Sequence, residues 1–440
     1  MTAQSQKSST VVAWLLVCFI LQAAYAKAQD NSRELDAAVA VLRECAGHIE
    51  KRCYFPITVP TVITRVMEEV RKTGGGPDMP LAPDIREMGE NEALQAARAY
   101  VEKCCALPGQ RLGPVELVEQ ALVAYCHTID AWTHYETSED TARIEKSRAI
   151  KGGVGMTLRQ KGGAYYCYPF PESVAALAGI RSGDRLVSVD GRSVKGASPN
   201  LLATWIKGAP GSQVMLRIEK STGRAQLLPL LREAGSAISP FKVERDAGGL
   251  VLRVRRFDAD IVAQINAALA EEPQTASRLF TLDLRGNQGG SLKAAVELAC
   301  LFLDQDAKIV TVVERGVAPK EFKADKPATL HPSQISILQD EGTASASEIA
   351  IAALVDNLPN RAASQGSKTY GKGVVQDEFR LQGGGTLILT TGIIFGPKGL
   401  TWNETGLLPS TTSQGIIYPD GALSINSPVT RPKPVIKLVD

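Results

Sequence analysis

Apolar residues recur three and four positions apart over residues 33–72 and again over residues 92–134, which is the spacing of amphipathic helices. A segment rich in Gly and Pro, Gly74–Pro83, separates the two patterns as a loop. The pattern over Tyr54–Ile63 is ambiguous. Residues 29–140 are therefore predicted to form a helical N-terminal domain that contains cysteines.

From about residue 150 the pattern changes to short β-like runs that glycine interrupts. Strands are predicted at Val154–Leu158, Leu186–Val189 and Val214–Ile218, and helices at Ser173–Ala178 and Pro199–Ile206. Residues 141–233 have the size of one small β-rich module.

A third pattern, over residues 234–420, alternates strands with helices. The predicted order is strand Leu250–Val254, helix Ala259–Ala270, strand Leu279–Leu284, helix Leu292–Leu303 and strand Lys308–Val313. Such alternation indicates a βαβ-type core. Residues 421–440 are Pro-rich and predict a terminal tail. The predicted fold class is α/β multidomain, with a helical N-terminal domain, a β-rich domain and an αβ core.

Composition and the N-terminus narrow the class of protein. The net charge of +2 in 440 residues gives no support for a nucleic-acid partner. Lys7 precedes the apolar stretch Val11–Ala24, and small residues follow at cleavage-site spacing, so residues 1–28 predict an export signal. The alternative is an uncleaved membrane anchor. The mature protein is expected to be periplasmic or otherwise extracytoplasmic, or tethered to a membrane at most.

Seven cysteines remain after removal of the predicted signal. Export permits disulfides, but an odd number leaves at least one free thiol if pairing is intramolecular. Cys300, within a helical pattern, is predicted to be a buried thiol. No Cys or His spacing matches a zinc site, so no metal is predicted, and nothing in the sequence predicts a cofactor.

One candidate for chemistry is Ser345. Residues 342–349 read Gly-Thr-Ala-Ser-Ala-Ser-Glu-Ile and lead into the apolar helix predicted at Glu348–Asp356. A serine at the head of a buried helix meets unpaired backbone N–H groups that can stabilise an oxyanion. The same residues form a capping-box pattern, with Ser345 as N-cap and Glu348 three residues on. A nucleophile and a plain helix cap fit these residues equally well.

The second candidate is Lys372, between Gly371 and Gly373. No histidine lies between Ser345 and Lys372 or after them, so a local general base would be this lysine. It would have to be neutral at working pH, which requires desolvation or a nearby positive charge. The alternative is an ordinary loop lysine. If the segment continues as a strand, Gln376 shares a face with Lys372 and its amide can orient the amine.

Together these runs resemble the carboxyl-terminal processing proteases, tail-specific serine peptidases with a Ser–Lys dyad, over residues 130–410. The family's Ser-Ala-Ser-Ala-Ser-Glu type run matches residues 343–348, which assigns the nucleophile to Ser345. Its Phe-Gly-Lys-Gly-x-Val-Gln pattern matches residues 370–376, which assigns the base to Lys372 and the orienting amide to Gln376.

The same resemblance places an oxyanion hole. The family's Asp-Leu-Arg-x-Asn-Pro-Gly-Gly turn matches residues 283–290, which implies the backbone N–H groups of Gly290 and Ala346 as the two donors. Gln288 replaces the usual Pro and leaves this turn less constrained. The interval of 27 residues from Ser345 to Lys372 is longer than usual, and Ser410 stands where the family usually has Asp.

The β-rich block resembles the PDZ domain of these enzymes. Gly152-Gly-Val-Gly-Met156 corresponds to the loop that binds a peptide carboxylate and to the first binding strand. This implies peptide binding at Gly153, Val154, Gly155 and Met156, where an extended C-terminus adds to a sheet edge. The alternative is a PDZ domain that only packs on the core.

The function expected from these patterns is that of an exported serine endopeptidase that cleaves proteins near their C-termini. Its partners would be protein or peptide substrates with free C-termini. Two alternatives stay open: a catalytically silent PDZ scaffold that binds C-terminal peptides, and a hydrolase of non-peptide esters. A homo-oligomer formed through the N-terminal or C-terminal segments also stays open.

Overall fold

The computed structural model describes residues 29–74, 78–150, 152–170, 172–234, 239–246, 249–270, 279–410 and 424–426. The predicted export signal and nearly all of the predicted tail lie outside these residues. The described chain forms two compact units: the first has residues 29–139 and 378–389, and the second has residues 140–377 and the residues from 390 onward.

The first unit is mainly helical, as predicted. Its elements are α1 (residues 29–52), α2 (Val59–Thr73), α3 (Glu90–Cys105), α4 (Pro114–Cys126) and β1 (His134–Glu136). β1 pairs antiparallel with the first residues of the strand β18 (Thr386–Phe395). The ambiguous segment Tyr54–Ile63 contains the start of α2.

The region of helical periodicity over residues 92–134 contains two helices, α3 and α4. The chain leaves α3 after Cys105, passes through Gly109 with φ at +86°, and starts α4 at Pro114. Proline fits the first turn of a helix because its missing N–H would have no helical acceptor there. The apolar periodicity continues across this break, so the pattern alone did not reveal it.

The seven cysteines of the described chain form no disulfide with one another, and six of them are buried. Cys300 is among the buried ones, which confirms that prediction. Within the described residues, no helix has the length and apolar character needed to span a bilayer.

The second unit begins with a β-rich block that follows α5 (Ser138–Arg148). The strands are β2 (Gly152–Gly153), β3 (Met156–Lys161), β4 (Ala164–Pro169), β5 (Asp184–Val189), β6 (Arg192–Ser193), β7 (Gln213–Glu219), β8 (Ala225–Leu231) and β9 (Glu233–Ala234), and the helices are α6 (Val174–Leu177) and α7 (Pro199–Ile206). The main sheet is antiparallel in the order β3-β4-β5-β7-β8, with β6 beside β5. β3 is therefore an edge strand.

The rest of the second unit is a βαβ core. Its elements are β10 (Phe241–Asp246), β11 (Gly249–Val254), α8 (Ile261–Ala270), β12 (Leu279–Asp283), α9 (Leu292–Cys300), β13 (Lys308–Glu314), β14 (Lys320–Lys323), β15 (Gln334–Gln339), α10 (Ala346–Asn357), β16 (Ala362–Gly366) and β17 (Val374–Arg380). The sheet order is β10-β11-β12-β15-β16, and the four strands from β11 to β16 are parallel. β13 pairs antiparallel with β14 and with the last residues of β18.

Apolar residues of α8, α9 and α10 join those of the parallel strands in one buried cluster. α10 is buried from Ala346 to Val355, as its nearly continuous apolar sequence predicts. Because parallel strands all run the same way, the loops that leave β12, β15 and β16 emerge at one edge of the sheet. This edge carries residues 284–290, 340–345 and 367–373.

Candidate active site

Ser345 lies between the end of β15 and the start of α10. Its backbone has φ of +56° and ψ of −119°, a conformation that residues other than glycine rarely adopt. Strain of this kind persists only where neighbouring contacts hold it, and it is concentrated at functional sites. The small neighbours Ala344 and Ala346 are buried. Ser345 is therefore held in place by its surroundings rather than by its own conformational preference.

Glu348 supplies the contacts that hold it. Its carboxylate is fully buried, and Oε2 accepts both the Ser345 N–H at 2.8 Å and the Lys372 N–H at 2.9 Å. Oε1 accepts the Gly371 N–H at 2.8 Å and the Thr369 hydroxyl. One carboxylate oxygen thus joins the backbones of the predicted nucleophile and the predicted base.

Burying the charged carboxylate of Glu348 costs free energy. Burial raises its pKa to about 7, and the hydrogen bonds from Thr369, Ser345, Gly371 and Lys372 limit that rise. The sequence pattern predicted only the local contact with Ser345, as a capping box. The link to Lys372 was missed because it depends on how the loop after β16 passes over α10.

Asn287 organises the turn that follows β12. Its side-chain amide donates to the Val254 carbonyl at 2.9 Å, and its Oδ1 accepts the Gly289 N–H at 2.8 Å. Its backbone carbonyl accepts the Ala344 N–H at 2.9 Å and the Ser347 hydroxyl at 3.0 Å. The turn is therefore constrained by Asn287, although Gln288 replaces the usual Pro.

The two glycines that end this turn are required by close approach. A Cβ on Gly289 would lie 2.8 Å from the Ala346 nitrogen, and one on Gly290 would lie 2.2 Å from the Phe257 carbonyl oxygen. Phe257 bonds to Gly289 and Ser291 rather than to Gly290 itself. Ala346 begins α10, where an N–H has no acceptor within the helix. The turn thus presses against the helix start that carries Ala346.

Two aspartates fix the flanks of this site. The buried Asp283 carboxylate accepts bonds from Arg253 and Arg285, at 2.9 and 2.8 Å. Burial alone would raise the pKa of Asp283, but the two arginines lower it overall. Asp340 Oδ1 accepts the Gly286 N–H at 2.8 Å. The loops after β12 and β15 are therefore tied together as well.

Lys372 lies between two glycines that the backbone needs. A Cβ on Gly371 would come within 2.8 Å of the Gly406 nitrogen, and one on Gly373 within 2.9 Å of the Asn403 nitrogen. β17 begins at Val374, so Gln376 lies on the strand and Lys372 lies just before it. The strand does not extend back to Lys372, and the predicted shared face is therefore not part of β17.

The predicted peptide-binding loop leads into β3. Gly153 lies in β2. The Val154 carbonyl accepts the N–H of Ala175 in α6 at 3.0 Å. The Gly155 carbonyl accepts the N–H of Phe170, the residue after β4, at 2.9 Å. Met156 begins β3. These four residues therefore form a fixed turn at one end of the edge strand.

The free edge of β3 contacts the loops of the active-site region. The Phe170 N–H donates to the Gly155 carbonyl, and this bond belongs to the pairing of β3 with β4. In that pairing the backbone N–H and C=O groups of Leu158 and Gln160 point away from β4, toward the free edge of β3. The Leu158 carbonyl accepts the side-chain amide of Gln288 at 3.2 Å, and the Gln160 carbonyl accepts the Tyr370 hydroxyl at 2.8 Å.

The side chain of Arg159, which lies between Leu158 and Gln160 on β3, is buried. Its guanidinium donates to the Gly342 carbonyl and lies 4.6 Å from the centre of the Tyr370 ring. Burial lowers the pKa of Arg159 to about 10. Nothing in the sequence singled out Arg159 or its contacts. In the part of the chain that the structure describes, no group of three or more His, Cys, Asp or Glu side chains is placed to hold a metal ion.

Comparison with known proteins finds similarity in two regions of the chain. A model of peptidase family S41 matches residues 249–413, and a PDZ-domain model matches residues 167–220. The carboxyl-terminal-processing protease of Picosynechococcus sp. is 32% identical over 246 residues, which are 55% of this chain and 58% of that protein. A probable CtpA-like serine protease of Staphylococcus saprophyticus is 30% identical over 287 residues, 64% of this chain and 57% of that protein.

The chain thus spans less than two thirds of the length of these curated relatives. In three dimensions it is similar to a solved photosystem II D1 C-terminal processing protease, with a TM-score of 0.64 and 21% identity over 84% of this chain and 92% of that one, a likeness that concerns the fold. Residues 249–413 are therefore similar to peptidase family S41 and residues 167–220 to a PDZ domain, and both the predicted α/β fold class and the predicted resemblance to the carboxyl-terminal processing proteases are confirmed.

Proposed function

We propose that this protein is a serine endopeptidase that cleaves proteins near their C-termini, with Ser345 as nucleophile and Lys372 as general base. The observation that carries the proposal is the bond of a single Glu348 oxygen to both backbone N–H groups. Because both N–H groups donate to the same oxygen, the backbones of Ser345 and Lys372 lie within two hydrogen-bond lengths of each other, although the two residues are 27 positions apart in the sequence. The strained backbone of Ser345 adds support.

In the mechanism that we propose, neutral Lys372 takes the proton from the Ser345 hydroxyl as its oxygen attacks the scissile carbonyl. The backbone N–H groups of Gly290 and Ala346 donate to the developing oxyanion. The amine leaves with a proton from Lys372, and Lys372 then activates the water that hydrolyses the acyl-enzyme. Gln376 orients the amine of Lys372 through its side-chain amide.

Substrate recognition is assigned to the PDZ domain. An extended substrate tail adds to β3, and N–H groups of Gly153, Val154, Gly155 and Met156 hold its terminal carboxylate. Export to an extracytoplasmic compartment is part of the same proposal, and the sequence of residues 1–28 supports it. The substrates are accordingly exported proteins with free C-termini.

The test is the loss of turnover in Ser345→Ala and Lys372→Ala. Each is expected to lower kcat/KM for a C-terminally free protein substrate by at least about 10³-fold, because each removes a reacting group. Ser367→Ala and Lys368→Ala are matched controls, since both side chains are exposed on the same loop.

The outcomes separate the candidate functions. Full activity in Ser345→Ala would reject the assignment of the nucleophile. If the unmodified chain binds a labelled C-terminal peptide without cutting it, the protein is a PDZ scaffold instead. Turnover of small esters that does not change when the PDZ domain is disrupted would favour the non-peptide hydrolase.

A further inference from the structure

A cleft of about 420 Å³ lies between α5 and the PDZ domain, and neither Ser345 nor Lys372 is among its lining residues. One wall is formed by α5 and by Ile150, which follows the end of that helix, and the other is formed by the turn after β5 and the end of α7. Its volume is within the range of pockets that bind ligands. The proposed mechanism uses none of its residues.

Three cations line the cleft. Arg143 and Lys146 are one helical turn apart on α5 and so share a face, and Arg192 lies on the opposite wall. Arg143 is 3.9 Å from Asp140, but no carboxylate of the described residues forms an ion pair with Lys146 or Arg192. The one acidic residue in the lining, Asp190, accepts the Met215 N–H at 2.8 Å. The cleft therefore has an excess of positive charge.

A neutral donor adds to these charges. The indole Nε1 of Trp205 is buried and has no hydrogen-bond partner among the residues that the structure describes. A buried donor without an acceptor is costly, and such groups usually mark the position of a missing partner. The Arg192 guanidinium lies 6.0 Å from the centre of the Trp205 ring. Among the described residues that line the cleft, the buried polar side-chain atom without a hydrogen-bond partner is thus a donor.

The cleft also has an apolar part. Ile150, which is 37% exposed, and the partly buried ring of Trp205 both line it. A small inorganic anion would meet the cations but would leave this apolar surface in water. A peptide with carboxylates on either side of an apolar side chain would meet both.

We propose that this cleft binds an acidic segment of a polypeptide, with its carboxylates on Lys146, Arg192 and Arg143 and an apolar side chain against Ile150 and Trp205. The lining of this cleft includes none of residues 152–156. Binding here does not depend on catalysis by Ser345, and its test is independent of the proposed protease activity.

The test is a titration of the full chain carrying Ser345→Ala with a fluorescein-labelled peptide that has Asp and Glu on both sides of a Leu. The peptide's C-terminus is amidated to keep it off the carboxylate loop. We expect binding with a Kd below about 1 mM, and no binding of the matched peptide with Asn and Gln. Equal binding of the two peptides, or binding of neither, would overturn the proposal.

Variants locate the site. Lys146→Ala with Arg192→Ala is expected to weaken binding by at least about tenfold, and Trp205→Phe, which replaces the indole by a phenyl ring and so removes the N–H together with part of the apolar surface, by about threefold. Lys195→Ala is the matched control, because it removes an exposed charge from the same domain outside the cleft. An equal loss in Lys195→Ala would show a general charge effect and reject the site. Displacement of the peptide by millimolar inorganic phosphate would show a site for small anions and would also reject it.

Discussion

The loops at the carboxyl edge of the parallel sheet take part in two sets of hydrogen bonds that differ in kind. Around Glu348, one buried carboxylate accepts four donors from the segments that carry Ser345 and Lys372. Along β3, two neutral side chains, Gln288 and Tyr370, donate to backbone carbonyls of the PDZ domain. The first set is charged and closed to water, whereas the second is neutral and only partly buried.

This difference decides which contacts can exchange during function. Hydrogen bonds to a charged group are roughly twice as strong as neutral ones, and no water can replace them inside the core. A neutral bond at a partly buried edge contributes about 1 kcal/mol, and a peptide backbone can replace it. The Ser345–Lys372 relationship is therefore the fixed part of the site, and the free edge of β3 is the part that can change partner.

Among the changes that leave Ser345 and Lys372 in place, the largest effect is expected from Glu348→Gln. A glutamine has one acceptor oxygen, so two of the four donors would face an amide N–H₂ group instead of an oxygen. The segments of Ser345 and Lys372 would shift apart, and kcat/KM is expected to fall by about 10²-fold or more. The measurement is cleavage of a C-terminally free substrate, with circular dichroism to confirm that the variant is folded.

Glu297→Gln is the control, since this glutamate lies on α9 with a partly exposed side chain. It makes the same chemical change without touching the site. If Glu348→Gln is folded and keeps full activity, Glu348 does not position Ser345 and Lys372. The charged contacts of Glu348 would then be no more important for activity than the neutral contacts along β3.

The pH dependence of activity is the next largest effect. Because the pKa of Glu348 is raised to about 7, the carboxyl is protonated in a large fraction of molecules below that pH. The proton turns one acceptor oxygen into a donor that faces two of the four groups that donate to the carboxylate. We expect kcat/KM to fall by up to about tenfold per pH unit below 7.

Stability should change in the opposite direction over the same range. The pKa of Glu348 in the fold, about 7, lies above its ordinary value of 4.5, so the unfolded chain loses this proton first. The contribution of Glu348 to the free energy of unfolding therefore falls as the pH rises from about 4.5 to about 7. Urea unfolding at several pH values measures it, and the difference between Glu348→Gln and the unmodified chain should vary across this range. A constant difference would contradict the raised pKa.

The sequence predicted the local parts of this site and not the distant ones. The helix after Ser345, the capping pattern with Glu348 and the glycines around Lys372 are short-range signals, and each corresponds to a feature of the structure. The bonds of Glu348 to Lys372 and of Gln288 to Leu158 depend on which strands become neighbours in the sheets, which periodicity does not specify. The roles of Ser345, Lys372, Gln376, Gly290 and Ala346 stay predictions.

A smaller effect is expected at the edge of β3. Gln288 and Tyr370 stand where the family patterns have Pro and Phe, neither of which has a side-chain hydrogen-bond donor. A peptide that adds to β3 must displace both bonds, so Gln288→Ala with Tyr370→Phe should lower the Kd of a C-terminal peptide by about tenfold. Titration in a Ser345→Ala background measures binding without cleavage.

The controls for this experiment are Gln226→Ala and Tyr166→Phe, which make the same changes on β8 and β4. They should leave the Kd of the peptide unchanged. Weaker peptide binding in the Gln288 and Tyr370 double variant would mean that these side chains support the bound peptide rather than occupy its place. The contacts along β3 would then hold the site in position, as the contacts of Glu348 do.

The smallest effect is expected from Ser410→Ala, which measures a neutral bond in a buried place. The Ser364 N–H donates to Ser410 Oγ at 3.2 Å, and the Ser410 N–H donates back to the Ser364 carbonyl at 3.0 Å. Removing the hydroxyl leaves the Ser364 N–H without this acceptor and should lower the free energy of unfolding by about 1 to 2 kcal/mol. Because Ser364 lies on β16 before the loop that Glu348 holds, kcat/KM should change by less than about twofold. A loss of activity as large as that of Glu348→Gln would mean that buried neutral hydrogen bonds also position Lys372. The charge of Glu348 would then not explain why its contacts matter for activity.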